Sequence, residues 1–191
     1  MRLALLSLVA AVAAVAAVAL AGCGNSRSSP PDTGRIPPPA GFRDVKYPAE
    51  GVTLRAPSNW RQIQGSGDHL ATIAIGDAQI AIWRYRRTEP LPVNEAQLKA
   101  ARQALVAQVQ SRDATFELTS SRLVIKPGIR AVELIGQGTN QGEPRAVRSL
   151  HAYGRGYEVV LDAFAPPRDF PRVDEETFGP VSRSLRVIPR S

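Results

Sequence analysis

The chain has one cysteine, Cys23, among 191 residues, so no disulfide within a single molecule can hold its fold together. Histidine is almost as scarce. His69 and His151 are the only two, and no His-x-x-x-His or Cys-x-x-Cys spacing supplies a recognisable metal site. A Gly-x-Ser-x-Gly elbow for a serine nucleophile is also missing. Gly65-Ser66-Gly67 and Gly136-Gln137-Gly138 do not continue into a phosphate-cradling pattern and read as loops. No catalytic residue, metal or cofactor is therefore assigned from these absences. Long apolar runs are limited to Leu3–Ala21, which excludes a multi-span membrane protein.

That one run is informative by its position. Arg2 precedes it and small residues close it, which is the order of a secretory signal. Leu20-Ala21-Gly22-Cys23 follows directly and resembles the lipobox of bacterial lipoproteins at every position. The resemblance implies cleavage between Gly22 and Cys23, a diacylglyceryl group on the Cys23 thiol, and an amino terminus open to acylation with a fatty acid such as palmitate. Two or more chains anchor durably where one binds only marginally. An uncleaved transmembrane anchor is the alternative, since the run nearly spans a hydrocarbon core. Either way, residues 24–191 are expected outside the cytoplasm, at the outer face of the cell membrane.

The formal charge of +7 falls only to +6 when residues 1–22 are removed. A basic exported protein suits an acidic envelope protein or an anionic wall polymer as partner, and its compartment argues against nucleic acid. Arginine outnumbers lysine 21 to 3 but is interspersed with acidic residues rather than clustered.

Three regions are expected: a signal peptide over 1–22, a lipidated cysteine and Pro/Gly/Ser-rich tether over 23–41, and one α+β domain over 42–191. The tether holds Pro30-Pro31 and Pro37-Pro38-Pro39 and one large apolar residue, Ile36, so it reads as a semi-flexible spacer. Beyond Phe42, alternation predicts strands over Val52–Ala56, from Trp60, and over Ala71–Ile75 and Ala78–Arg86. It continues over Thr115–Ile125 with a phase shift near Ser120, Ile129–Gly136, Arg145–Tyr153 and Tyr157–Phe164. Gly76-Asp77, Pro127-Gly128 and Gly154-Arg155-Gly156 are hairpin connectors, so the sheet should be antiparallel. One long helix opens near Asn94, with Gln97 three residues on, and carries Leu98, Ala101, Leu105 and Val109 on one face. Phe178, Val181 and Leu185 predict a short terminal helix starting near Thr177, because Pro180 fits only a first turn.

Gly51-Val52-Thr53-Leu54-Arg55-Ala56-Pro57 followed by Trp60, and the closing segment Phe178 to Val187, resemble the Mog1/PsbP-like fold. That resemblance implies an α/β/α sandwich of antiparallel sheet with one long helix and a short C-terminal helix. It also implies a binding or accessory module rather than an enzyme.

Trp83-Arg84-Tyr85-Arg86-Arg87 is the candidate ligand-binding cluster, with Trp83, Tyr85 and Arg87 on one face and Arg84 and Arg86 on the other. Aromatics beside arginines suit anionic or carbohydrate ligands. The alternative is that Trp83 and Tyr85 pack under the long helix. Asp162 reads either as a carboxyl of raised pKa or as paired with a cross-strand arginine such as Arg148. His69 reads as a solvated turn residue and His151 as mid-strand on the Val147 and Tyr153 face. The leading expectation is a non-enzymatic, membrane-anchored module. The alternative is an envelope hydrolase using carboxylates such as Asp162 or Glu133, for which a deep pocket joining two carboxylates or a Ser-His pair would be the sign.

Overall fold

The computed structural model describes residues 35–140 and 142–188. The signal peptide, the lipobox with Gly22 and Cys23, and most of the tether lie outside the described residues.

The chain first builds a two-stranded ribbon, β1 (Phe42–Tyr47) against β2 (Val52–Pro57), closed by Gly51 at positive φ. Four strands follow in sequence: β3 (Arg61–Gln64), β4 (His69–Ile75), β5 (Ala78–Arg86) and, after a helix, β6 (Glu117–Lys126). The hairpins β7 (Ile129–Asn140), β8 (Glu143–Gly154) and β9 (Tyr157–Ala165) complete an antiparallel sheet ordered β3-β4-β5-β9-β8-β7-β6. The expected phase shift near Ser120 is a bulge in β6, where Leu118 faces Gly136 and Ser120 faces Ile135.

Helix α1 (Glu95–Arg112) begins where its capping residues direct it. The Asn94 side chain accepts the Gln97 N–H at 2.9 Å, and the Gln97 side chain accepts the Val93 N–H at 2.9 Å. Leu98 and Leu105 are buried against Val132, Leu134 and Tyr153, with Leu118 and Leu123 at the margin. The helix thus covers the β6–β7 end of the sheet. The alternation in β5, β8 and β9 sends the other set of side chains to a second, larger core, where Ile80, Ile82, Leu150 and Leu161 meet the ribbon and the C-terminal helices.

Those terminal helices start earlier than Thr177. They run from α2 (Phe170–Val173) through a π turn (Asp174–Phe178) into α3 (Gly179–Ser184), and β10 (Arg186–Val187) follows beside β2. The π turn admits Pro180: the Gly179 N–H reaches back to Asp174 O, and Pro180 enters α3 in its first turn, where its missing N–H costs nothing. Trp60 meets Phe178 edge-on with centroids 6.1 Å apart, so the two segments that carry the sequence resemblance pack on each other.

Two further expectations change. Gly136-Gln137-Gly138 is not a loop but part of β7, where a glycine lets the Phe116 ring lie against the strand. The segment from Ile36 to Gly41, read as tether, is docked on the domain. Ile36 is buried in the main core, Arg172 donates to its carbonyl at 2.6 Å, and Asn59 binds both Ala40 and Pro38 at 3.0 Å.

Candidate functional site

Helix α1 is too narrow to cover the whole face it sits on. Beyond β7, the same face of β8, β9 and β5 is left facing a cleft of about 860 Å³ between the sheet and the helix. The helix wall carries Ala100, Ala101, Ala104, Leu105 and Val109 between Gln97 and Gln108, and Val147, Val160 and Phe164 oppose it from the sheet. Arg86, Arg112 and Arg145 also line the cleft, and none forms an ion pair among the described residues.

The floor is a continuous polar line. Ser149 and Asp162 face each other in register across β8 and β9, and the Ser149 hydroxyl donates to Asp162 Oδ1 at 2.5 Å. His151, two residues along β8 on the same face, places Nε2 3.0 Å from Ser149 Oγ and Nδ1 2.7 Å from Glu158 Oε1. Arg87 then donates to Glu158 Oε2 at 2.7 Å. Burial alone would raise the Glu158 carboxyl, but His151 and Arg87 outweigh it and hold the group below its ordinary value. Glu158 in turn keeps the Arg87 guanidinium above its usual value against burial. Burial first, then the nearby carboxylates Asp162, Asp68 and Glu158, push the Tyr85 hydroxyl up. Tyr153 rises for the same two reasons, burial and Glu158.

The sequence cluster Trp83 to Arg87 is divided by strand alternation. Trp83, Tyr85 and Arg87 share the cleft face, with Trp83 and Tyr85 stacked at 6.1 Å and His69 against Trp83 at 4.4 Å. Tyr85 is exposed and reaches the cleft rather than packing beneath α1, because the helix lies over β6 and β7. On the opposite face, the Arg84 guanidinium lies over the Tyr157 ring at 3.2 Å. His69 is half-buried, with Nε2 3.0 Å from Thr72 Oγ1, rather than a free turn residue.

Asp162 does not pair with Arg148. Arg148 stands opposite Ala163, one position out of phase, and so faces the main core, where it binds Glu133 Oε2 at 2.6 Å and Asp174 through two bonds of 2.5 and 2.7 Å. The same parity separates the two carboxylates named for a hydrolase, since Glu133 lies on the Arg148 face and Asp162 on the cleft face. What sequence reasoning missed is the line Ser149–His151–Glu158–Asp162. Its signal was the spacing of polar residues at 149, 151, 158 and 162 on one face of adjacent strands, which becomes legible only once the hairpin register is fixed.

Neither a protein-family model nor a curated protein matches the chain. Solved structures do. Cyanobacterial PsbP (CyanoP) from Synechocystis sp. PCC 6803 superposes with a TM-score of 0.61 at 13% identity, covering 88% of this chain and 98% of that one. LpqN, involved in cell envelope biogenesis of Mycobacterium tuberculosis, superposes with a TM-score of 0.53 at 16% identity, covering 78% and 91%. Identities this low speak to fold alone, and on that ground the chain has a PsbP-like α+β fold.

Proposed function

We propose that the chain is an exported, membrane-anchored accessory module that binds a small amphipathic molecule in the cleft between α1 and the sheet. The observation that carries this reading is the cleft itself, whose volume of about 860 Å³ lies in the range of small-molecule sites and which sets an apolar stripe of α1 against a polar floor. Arg112 and Arg145, without an ion pair among the described residues, suit an anionic group on the ligand, or an acidic envelope protein or wall polymer at the mouth. The likeness in fold to LpqN supports an envelope setting.

Membrane anchoring rests on the lipobox. Cys23→Ser should release the protein from membranes on cell fractionation, and unchanged retention would overturn lipid anchoring. Filling the cleft tests the rest. Ala104→Trp places an indole against the opposing wall and should weaken uptake of an amphipathic fluorescent dye at least about tenfold; equal uptake by both proteins would sink the cleft reading.

A second reading, an envelope hydrolase, is favoured by the sign expected of it: the cleft joins a Ser149–His151 pair to the carboxylates Glu158 and Asp162, with Ser149, His151 and Glu158 linked through the ring nitrogens in the order of a nucleophile, base and orienting carboxylate. Two features rank it below binding. β8 is paired on both sides, so its backbone N–H groups are committed to the ladder and offer no oxyanion hole. The Asp162 carboxylate also sits against the attacking oxygen. Covalent labelling of Ser149 by a fluorophosphonate, read by intact mass, would reverse that ranking.

A further inference from the structure

The cleft floor carries more hydrogen bonds than its ordinary protons can fill. Three contacts join four groups: Asp162 to Ser149, Ser149 to His151, and His151 to Glu158. Glu158 is ionised, because it accepts from Arg87 and is held below its usual range, so the third contact takes its proton from His151 Nδ1. Ser149 then has one proton for two contacts. If it donates to Asp162, a neutral His151 turns the Nε2 lone pair onto the Ser149 lone pairs. If it donates to His151, an ionised Asp162 faces Ser149 in the same way.

One added proton completes all three links, in either of two arrangements. It resides on Nε2, giving imidazolium and an ionised Asp162, or on Asp162, giving a neutral imidazole that accepts from Ser149. We propose that the Asp162–Ser149–His151–Glu158 line is a proton-binding site in the cleft floor, with one proton shared between Asp162 and His151 through the Ser149 hydroxyl. The charged and titratable groups that face it are Tyr85 and Arg87 from β5, Tyr153 from β8 and Arg112 at the end of α1. Glu89, 3.2 Å from Arg87, shares that guanidinium with Glu158; the other charges lining the cleft are Arg86, Asp113 and Arg145, and β7 contributes the uncharged Leu134, Gly138 and Thr139.

The consequence is regulation of the cleft, and this step rests on the binding reading above. With the proton bound, Asp162, Glu158, His151 and Arg87 sum to zero charge. Without it the floor is negative. The anionic ligand group of the binding reading is repelled by the negative floor, so its uptake is favoured below the titration and its release above it.

The test uses ligand-free protein, so its failure leaves the binding reading standing. Imidazole nitrogen NMR of His151 is followed against pH in wild type, Asp162→Asn, Ser149→Ala and the double variant, with His69→Gln to assign the ring. The carboxamide introduced by Asp162→Asn donates to Ser149 and supplies the missing hydrogen, so this variant should move the His151 titration to lower pH by about one unit or more. In the Ser149→Ala background only the lost charge remains, and the shift should shrink. Equal shifts in both backgrounds would overturn the shared proton. In wild type alone, the Asp162 carboxyl carbon and the His151 ring should respond over the same pH range. A carboxyl carbon that stays silent through the pH range in which His151 gains its Nε2 proton would overturn it as well, whether or not the variants fold.

Discussion

Arg148 shows how one position of strand phase decides a residue's role. Its guanidinium is buried on the core side and binds both Glu133 and Asp174. Burial works against its charge, and Asp174 and Glu133 more than offset it, so the group stays charged well above any accessible pH. Arg148→Ala leaves Glu133, only 3% exposed, with a single partner in the exposed Arg122. We expect a loss of about 3–5 kcal/mol, the usual cost of breaking a buried pair from one side, measured by urea unfolding. Replacing Arg148 and Glu133 together by Met and Leu should recover only part of that loss, because the Glu133 charge goes too while Asp174 is left without its partner. The sequence showed Arg148 and Asp162 as opposite charges on neighbouring strands but could not show that they point to opposite faces.

At the scale of elements, legibility followed the strength of the local pattern. The cap of α1, its apolar stripe and the three glycine hairpins were readable, because each is a contact between residues a few positions apart. The terminal helix was readable only in part: Pro180 correctly forbade a continuous α-helix, but the π turn that lets helical structure begin at Phe170 is held by packing of Phe170, Val173 and Phe178 in the main core. The glycines at 136 and 138 misled for a related reason, since absent side chains mark a loop and a close approach equally. A Cβ at Gly136 would lie 2.5 Å from Phe116 Cζ and 2.7 Å from the Glu117 carbonyl. Gly136→Ala should therefore cost about 1–3 kcal/mol by overpacking, read as a lower urea midpoint. Gly138→Ala should cost less, because its nearest neighbour is the tip of the Asp113 side chain rather than backbone.

Across the whole molecule, the strip from Ile36 to Gly41 is docked on the domain rather than standing apart from it. Ile36 is 5% exposed and its carbonyl takes the Arg172 guanidinium, so this strip ties the chain entering the domain to the C-terminal helices. Protein trimmed to begin at Ala40 should melt several degrees below protein trimmed to begin at Arg35, since burying one isoleucine is worth about 1.5–3 kcal/mol and a domain of this size shifts about 2–4 °C per kcal/mol. Equal melting temperatures would return the strip to the tether.

By itself the sequence determined what depends on order and neighbours: most strands of the large sheet and their antiparallel pairing, though not β1 or β10, one long capped helix, and an α+β class resembling PsbP. The tertiary structure decided what depends on register and coverage. Helix α1 covers only the β6–β7 end of its face, and that shortfall opens the cleft. The hairpin registers then bring Ser149, His151, Glu158 and Asp162 into one line while sending Arg148 and Glu133 to the other side. A side-chain period of two makes each such assignment all or nothing, so no local feature of the sequence could settle it before the strands were paired.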